Sequence, residues 1–479
     1  MTKIFAFILL QFSNIQFQLI KELKAFQESE GIYQATVAAS VQRISDKKNV
    51  LSFNSDKAIN SASTLKLVTT ATALAKLSST FRYHTDLLYS GNISVGSLNG
   101  DLIIQSNGDP SFGSERGVNP LCEVFDDITE TLKSLGVKRI KGNIIIQDET
   151  VFDFDMPDSW IWGDIGNYYG AIPHKFNVNE NLYTVYFEPG KSLGIPAELK
   201  KIEPFDPDWE IINLVKTGAA KSGDQVYIYG SPGSETITLK GTVPLGKSNF
   251  PVKGSIPNPA KTFRTALINR FNEEGIRVEE GSMVPLAEDL LGLPDNLHLL
   301  KRFESQRLED LVRDCNFSSI NLYADAFLQT QDIKSYGFSD FKTALESTKD
   351  YWLTSVPNLA GFQPKDGSGL SPSGFLTAQN MTDILSVVNY KTSLDMFKST
   401  IPILGQEGSV RYKDKQNKTE GRVHAKSGSI EGTRAFAGYL KDKSGIEYAF
   451  MVAVNRYNPE AAARVRKFLD EFLVKLGSY

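Results

Sequence analysis

A serine and a lysine three residues apart, Ser63 and Lys66, form the pair in this 479-residue chain that is best placed for chemistry. If a helix begins near Ser63, residues three apart share one face, and the hydroxyl and the amine project together from its first turn. The residues from Leu65 to Leu77 are apolar on nearly all sides, which predicts a helix buried in a core. Because burial lowers the pKa of a lysine, a neutral Lys66 could accept the proton of Ser63 and make that serine a nucleophile.

The spacing alone is not specific, because it recurs at Ser45–Lys48 and Ser339–Lys342. The first of these copies has the composition of a hairpin turn, and the second lies in a polar loop or a helix cap. A structural interpretation of the first pair also exists, in which Ser63 caps a helix and Lys66 lies on the surface. Only Ser63 precedes a buried helix, and its setting therefore favours the catalytic interpretation.

Two further short motifs follow in the chain. Ser319 and Asn321 lie at the predicted start of a helix, and Lys426, Ser427 and Gly428 lead through Ser429 from one predicted strand to the next. The pattern of lysine, hydroxyl residue and glycine also occurs at Lys216–Gly218, Lys221–Gly223 and Lys443–Gly445. We expect the first two of these copies in a polar loop and the third in a turn between strands, so that only the Lys426 copy lies on a core strand.

Composition excludes several classes of function. The net charge of -4 and the dispersed basic residues predict no nucleic-acid partner. Cys122 and Cys315 form neither a zinc motif nor a disulfide framework. The four histidines are isolated, which predicts no metal site, and no cofactor is expected; His424 is the alternative base because it lies near Lys426.

The chain begins with a lysine followed by a short apolar run, Ile4–Leu10, and we interpret residues 1–20 as a signal peptide. This interpretation predicts export, although no small-x-small cleavage site follows, and cytoplasmic retention or an uncleaved anchor stay open. The remaining patterns predict an α/β domain in two pieces, 21–82 and 258–479. A β-rich insertion over 83–257 separates these pieces and could comprise two subdomains.

Taken in order, Ser63–Lys66, Ser319–Asn321 and Lys426–Gly428 resemble the motifs of penicillin-recognising serine enzymes. The chain is similar to class C low-molecular-mass penicillin-binding proteins, the D-alanyl-D-alanine carboxypeptidases and endopeptidases. The stretch Asp366–Ser371 and the large insertion share this resemblance. It implies a transpeptidase-like (β-lactamase-like) α/β fold with an antiparallel sheet flanked by helices, acting on peptidoglycan peptides in the periplasm and acylated by β-lactams.

The resemblance also implies roles for the site residues. Ser63 attacks the carbonyl of a D-Ala-D-Ala peptide, Lys66 is its base, and Ser319 relays a proton to the leaving amine. Asn321 hydrogen-bonds the substrate amide or Lys66. Lys426 supplies positive charge for the terminal carboxylate or for the Ser319 proton relay, and the Ser427 hydroxyl binds that carboxylate. The N–H groups of Ser63 and Ser429 form the oxyanion hole, and Gly428 also belongs to the substrate-binding residues. Asp366 is interpreted as a turn-former rather than a catalyst.

Two alternatives to this function stay open on the sequence. The first is a β-lactamase or esterase with the same acylation chemistry, against which the large insertion argues. The second is a noncatalytic wall-binding protein, against which the retention of every acylating group argues. The sequence leaves the choice between carboxypeptidase and endopeptidase activity undecided, as it does the oligomeric state.

Overall fold

The computed structural model describes residues 16–146, 156–204, 206–279, 296–333, 337–388 and 392–478. The chain forms two compact units. The first unit contains the chain up to Ser79, the segment Leu308–Gln331 and the chain from Asp340 onward. The second unit contains Thr80–Arg307 and the short segment Asp332–Ser339. All of the predicted site residues belong to the first unit, although they come from distant parts of the sequence.

The described strands are β1 Thr36–Arg43, β2 Asn49–Phe53, β3 Ala58–Ile59, β4 His84–Tyr89, β5 Asn92–Ser94, β6 Ser97–Asn99, β7 Leu102–Ser106, β8 Arg139–Ile140, β9 Ile144–Ile146, β10 Leu182–Glu188, β11 Glu198–Glu203, β12 Glu210–Gly218, β13 Gln225–Tyr229, β14 Thr236–Pro244, β15 Phe250–Ser255, β16 Arg277–Val278, β17 His298–Glu304, β18 Leu376–Thr377, β19 Val423–Ile430, β20 Thr433–Lys441 and β21 Glu447–Asn455. The described α-helices are α1 16–27, α2 Lys66–Leu77, α3 Leu121–Ser134, α4 Trp162–Ile165, α5 Pro259–Glu273, α6 Leu308–Ser318, α7 Asn321–Thr330, α8 Phe341–Leu353, α9 Ala378–Val387, α10 Leu394–Ser399 and α11 Ala462–Gly477.

The first unit is built on an antiparallel sheet with the strand order β19-β20-β21-β1-β2. Because side chains alternate along a strand, Val37 and Ala39 of β1 face the core that α1 and α11 complete, whereas Ser40 faces the opposite side. On that opposite side Ser40 exchanges a hydrogen bond of 2.8 Å with Thr382 of α9. Helices therefore cover both faces, and the predicted antiparallel sheet flanked by helices is confirmed.

Helix α2 is buried at every position from Lys66 to Leu74. Its threonines satisfy their hydroxyl groups locally, as when Thr70 donates to the Lys66 carbonyl at 2.6 Å. Thr72 also accepts a hydrogen bond of 2.8 Å from the indole of Trp352. The prediction of a helix buried in the core is confirmed, and it follows from the absence of a polar face in the sequence.

The second unit is rich in β-structure, as predicted. Its strands form four small sheets with the orders β11-β10-β15, β12-β14-β13, β16-β8-β6-β5 and β17-β4-β7-β9. One hydrophobic cluster packs the strands of the last two sheets against α3 and α5 through residues such as Ile128 and Phe263. A separate cluster around Val185 and Leu239 fills the space between the first two sheets.

The boundary predicted at residue 258 differs from the structure, in which the second unit continues to Arg307. Helix α5 buries Phe263, Leu267 and Phe271 in a core of the second unit. Strand β17 then pairs with β4, which also belongs to that unit. The apolar face of α5 predicted a helix correctly, but nothing in its period indicated which core the helix would join.

The predicted signal peptide over residues 1–20 lies mostly outside the described residues, which begin at residue 16. Helix α1 already covers residues 16–27, and Leu19 and Leu23 are buried in the core of the first unit. Glu22 forms an ion pair with Lys475 of α11. The predicted boundary at residue 20 therefore falls within a packed helix. No described helix combines the length and the apolar character needed to cross a membrane.

Candidate active site

Ser63 lies in a 3₁₀ turn, Ala62–Leu65, that runs directly into α2. Ala62 before it has a φ of 44°, in the left-handed region that most residues avoid, which is a common feature of functional sites. Ser63 does not cap a helix, since Ser61 is the N-cap residue of the turn and Leu65 that of α2. The interpretation of Ser63 as a helix cap is therefore wrong.

Lys66 is fully buried, and its amine makes three hydrogen bonds. Nζ lies 3.0 Å from Ser63 Oγ, 2.6 Å from Asn321 Oδ1 and 2.7 Å from the Ser368 carbonyl oxygen. Burial lowers the pKa of Lys66 below its usual 10.5, although Cys315, Asp325 and Asp366 oppose this shift in their ionised forms. A buried amine in contact with a serine hydroxyl is suited to accepting that proton, and the interpretation of Lys66 as a surface lysine is wrong.

Lys426 is also fully buried, on strand β19. Its amine donates to Ser319 Oγ at 2.8 Å and to its neighbouring carbonyl, that of Ser427, at 2.9 Å. Burial, and then repulsion from Lys66, lower the pKa of Lys426 to about 7. Both protonation states of this amine are therefore accessible near neutral pH, which suits it to exchanging a proton with Ser319.

Ser319 occupies the junction between α6 and α7 rather than a helix cap. Its φ of 59° lies in the left-handed region, and Ile320 is the N-cap residue of α7. The left-handed conformation of Ser319 interrupts the helical backbone between α6 and α7. The Ser319 hydroxyl then hydrogen-bonds Lys426, while Asn321, the first residue of α7, hydrogen-bonds Lys66. One short segment thus serves both lysines.

Two glycines, Gly369 and Gly428, let their own backbone segments pack directly against the turn that carries Ser63. A Cβ atom on Gly428 would lie 2.7 Å from the Ser61 carbonyl oxygen and 3.0 Å from the Ser63 nitrogen. Gly369 has a φ of 78°, and a Cβ atom there would overlap the Ala62 carbonyl oxygen. The absence of side chains at both positions allows this close approach. Strand β19 is the edge strand of the sheet, which leaves its free edge for the Ser63 turn.

The hydroxyl groups beside Lys426 form a second polar pair. Ser427 Oγ lies 2.7 Å from the hydroxyl of Ser409, which belongs to the 3₁₀ turn Gly408–Val410. Ser427 is half-buried and Ser429 is exposed. This edge of the site therefore offers hydroxyl donors next to a buried cation, which is the arrangement that a carboxylate ligand requires.

The other copies of the motifs lie in other secondary-structure elements. Ser45 is in the turn between β1 and β2, and Ser339 precedes the N-cap residue of α8. Lys443–Gly445 is the turn between β20 and β21, as predicted. The prediction of a polar loop for Lys216–Gly218 is wrong, because these residues end strand β12; the Lys216 side chain is nevertheless exposed. The end of this strand is polar and runs into a glycine-containing turn, and for this reason its sequence resembled a loop.

His424 does not contact Ser63 in the described part of the chain. Its Nδ1 atom lies 3.2 Å from the carbonyl oxygen of Ile401, and burial lowers its pKa. Asp366 accepts backbone N–H groups from Gly369 at 2.7 Å and from Ser371 at 2.6 Å, which confirms its interpretation as a turn-former. Cys122 and Cys315 are both free thiols, and burial raises the pKa of Cys315 to about 12.

Sequence reasoning missed three contributors to the site, namely the Ser368 carbonyl, the Ser409 hydroxyl and the Asp325 carboxyl. A backbone carbonyl has no residue type to identify it. Ser409 is one serine among many. Asp325 had a usable signal, because its position four residues after Asn321 places both side chains on one face of α7.

A serine hydrogen-bonded to a buried lysine, at the edge of an antiparallel sheet flanked by helices, defines the class of serine enzymes that react through an acyl-enzyme. The comparisons with known proteins agree with this class. A sequence profile of the D-Ala-D-Ala carboxypeptidase 3 (S13) family matches residues 19–476. The chain belongs to this family, and it is a serine-type D-Ala-D-Ala carboxypeptidase, a hydrolase.

Individual relatives are similar over nearly the whole chain. D-alanyl-D-alanine carboxypeptidase DacB of Haemophilus influenzae is 23% identical over 434 residues, which cover 88% of this chain and 86% of the relative. The crystal structure of penicillin binding protein 4 from that organism superposes with a TM-score of 0.77 at 21% identity, covering 95% of this chain and 99% of the other. Its complex with a β-lactam gives a TM-score of 0.72 at 20% identity, covering 96% and 99%. The resemblance inferred from the motifs is confirmed, and these comparisons do not favour a β-lactamase or esterase.

Proposed function

We propose that this carboxypeptidase removes the terminal D-alanine from peptidoglycan peptides through an ester on Ser63, with Lys66 as the base. The observation that carries the proposal is the set of partners around the Lys66 amine. Asn321 Oδ1 and the Ser368 carbonyl can only accept hydrogen bonds, at 2.6 and 2.7 Å. A neutral amine has two N–H groups and one lone pair. Both N–H groups donate hydrogen bonds to these two acceptors, so the lone pair is left to accept the hydrogen bond of the Ser63 hydroxyl.

Acylation then follows from these contacts. Ser63 Oγ bonds to the carbonyl carbon of the penultimate D-alanine while its proton passes to Lys66. The bond to the terminal D-alanine nitrogen breaks, and this nitrogen takes the proton of Ser319, which Lys426 replaces through its 2.8 Å hydrogen bond. Since Lys66 lowers the pKa of Lys426 by repulsion, protonation of Lys66 promotes this replacement. Water later cleaves the ester and restores Ser63.

The substrate-binding groups lie along the free edge of β19. The N–H groups of Ser63 and Ser429 would stabilise the oxyanion, which depends on Gly428 letting the two backbones approach. Ser427 would bind the terminal carboxylate. Because the Ser427 oxygen can accept a hydrogen bond from the Ser409 hydroxyl at 2.7 Å, the Ser427 hydroxyl can donate its own hydrogen bond to that carboxylate. The charge of Lys426 adds to this attraction.

Location in the periplasm belongs to the same proposal. Peptidoglycan lies outside the cytoplasm, and Lys3 followed by the apolar run Ile4–Leu10 resembles a secretion signal. Relatives named D-alanyl-D-alanine carboxypeptidase and penicillin binding protein 4 support export of this chain, since the proposed substrate lies outside the cytoplasm. Covalent inhibition by β-lactams is proposed on the same basis, since a relative has been crystallised with such a compound.

The direct test is the release of D-alanine from a peptide ending in D-Ala-D-Ala. We expect the full chain to release one D-alanine per peptide and the Ser63→Ala variant to release none. A peptide ending in D-Ala-L-Ala is the matched substrate control. Release by Ser63→Ala at the wild-type rate would overturn the assignment of Ser63.

A further inference from the structure

Asp325 is a fully buried carboxyl group one helical turn after Asn321 on α7. Its Oδ1 atom accepts the N–H of Gly367 at 2.7 Å. Its Oδ2 atom is buried and makes no hydrogen bond of ordinary geometry to a described residue. Burying a carboxyl group costs folding free energy, which indicates that Asp325 has a role beyond packing.

The N–H that Asp325 holds belongs to the segment that contacts the catalytic amine. The carbonyl of Gly367 accepts a hydrogen bond from the Thr69 hydroxyl on α2 at 2.7 Å. The next carbonyl, that of Ser368, accepts from Lys66 Nζ at 2.7 Å. The segment Gly367–Ser368 is thus held by α7 at the Gly367 N–H and by α2 at the Gly367 carbonyl, with Lys66 at its Ser368 carbonyl.

This segment also lies directly on the backbone of α7. A Cβ atom on Gly367 would be 2.8 Å from the Ala324 carbonyl oxygen and 3.0 Å from Leu328 Cβ. Little space therefore separates the segment from the helix, and the hydrogen bond to Asp325 joins the two. Helix α7 reaches Lys66 twice, directly through Asn321 and indirectly through Asp325.

We propose that Asp325 is a positioning residue for acylation: by holding the Gly367 N–H on α7, it keeps the Ser368 carbonyl directed at Lys66 and the amine lone pair directed at Ser63. This inference rests on the proposed roles of Ser63 and Lys66. It concerns the chemical step rather than substrate binding, because Asp325 is buried and reaches the reacting atoms only through other residues.

The ionisation of Asp325 is consistent with this role. Burial, and then the neighbouring carboxylate of Asp366, raise the pKa of Asp325 to about 8, against the opposing charge of Lys66. This shift favours the uncharged acid form of the group. An uncharged acceptor can hold the Gly367 N–H without stabilising the ammonium form of Lys66, whereas a carboxylate would oppose its neutral form. Asparagine is the matched uncharged substitute.

The test compares Asp325→Asn with Asp325→Leu in acylation by a chromogenic β-lactam, measured over a range of concentrations. We expect Asp325→Leu to lower the limiting acylation rate at least tenfold while the half-saturating concentration changes less than twofold. Asp325→Asn should stay within threefold of the wild type in both. The control is Thr330→Val on the same helix, where the hydroxyl donates to the Ala326 carbonyl at 2.7 Å, and which should leave both values unchanged.

Thr69→Val supplies an independent variant if Asp325→Leu does not fold, as judged by its melting curve. Thr69→Val removes the hydrogen bond from α2 to the Gly367 carbonyl. It should also lower the limiting rate at least threefold without changing the half-saturating concentration. Wild-type limiting rates in the folded Leu or Val variant would overturn the inference, as would an Asn variant as slow as the Leu variant. Failure of the wild-type chain to acylate at all would instead overturn the proposed function.

Discussion

The Lys66 amine lies 2.6 Å from the Oδ1 atom of Asn321, although 255 positions separate the two residues in the chain. An amide oxygen at this distance accepts a hydrogen bond from the amine but carries no full charge that would hold the amine in the ammonium form. The amine is oriented by this contact and can still act as a base.

The first prediction concerns the charge at this position. Asn321→Asp should raise the pKa of Lys66, because an adjacent carboxylate favours the ammonium form, typically by about 1 to 3 pKa units. Less amine is then neutral at pH 7, so β-lactam acylation should slow at least tenfold there and recover as the pH rises. The exposed Asn358→Asp is the control for added charge. An unchanged pH profile in Asn321→Asp would contradict the role of Lys66 as the base.

The second prediction removes the basicity of Lys66 while keeping its charge. Lys66→Arg should abolish acylation, since a guanidinium group stays protonated in proteins and cannot accept the Ser63 proton. The same replacement at Lys76, further along α2, should leave the rate unchanged and shows whether the helix tolerates arginine. If Lys66→Arg acylated at the wild-type rate, another base would have to act, and His424 would be the first to test.

The third prediction distinguishes the four copies of the lysine, hydroxyl residue and glycine pattern. Lys426→Ala should lower acylation by orders of magnitude, because a hydrogen bond to a charged group contributes about 1.5 to 3 kcal/mol and more when it is desolvated. The matched variants Lys216→Ala, Lys221→Ala and Lys443→Ala should each change the rate less than about threefold, as expected of solvated lysines. If Lys216→Ala or Lys221→Ala abolished acylation and Lys426→Ala did not, the assignment of the carboxylate site to Lys426 would be wrong.

The fourth prediction tests the approach of β19 to the Ser63 turn. Gly428→Ala adds a methyl group 2.7 Å from the Ser61 carbonyl oxygen and 3.0 Å from the Ser63 nitrogen, and both of these atoms belong to the backbone. The strand must therefore move, and acylation should fall at least a hundredfold. Gly163→Ala in α4 is the control, since the nearest atom to its added methyl group is 3.9 Å away. Wild-type acylation by Gly428→Ala would show that the oxyanion site does not need this approach.

The sequence predicted the parts of the site that follow from local spacing. Ser63 and Lys66 meet because the helical period brings residues three apart together, and the apolar surroundings of α2 predicted that Lys66 would be buried. The meeting of Lys426 with Ser319 joins residues 107 positions apart, and only the resemblance to a known family connected them beforehand.

Other features had no local signal. The Ser368 carbonyl is a backbone group, and every residue carries one. The second boundary was misplaced because the period of α5 predicts a helix with a buried face but not the core that receives it. Lys216 was assigned to a loop because β12 ends at Gly218 in a polar, glycine-containing stretch, whose composition resembles that of a loop.

The central claim is that Ser63, and no other serine, carries the acyl group. Incubation of the full chain with a labelled β-lactam, followed by mass spectrometry of the modified peptide, tests it directly. We predict one adduct, on Ser63, that is lost in Ser63→Ala and kept in Ser45→Ala and Ser339→Ala. An adduct on Ser339 or Ser45, or an adduct that persists in Ser63→Ala, would contradict the account.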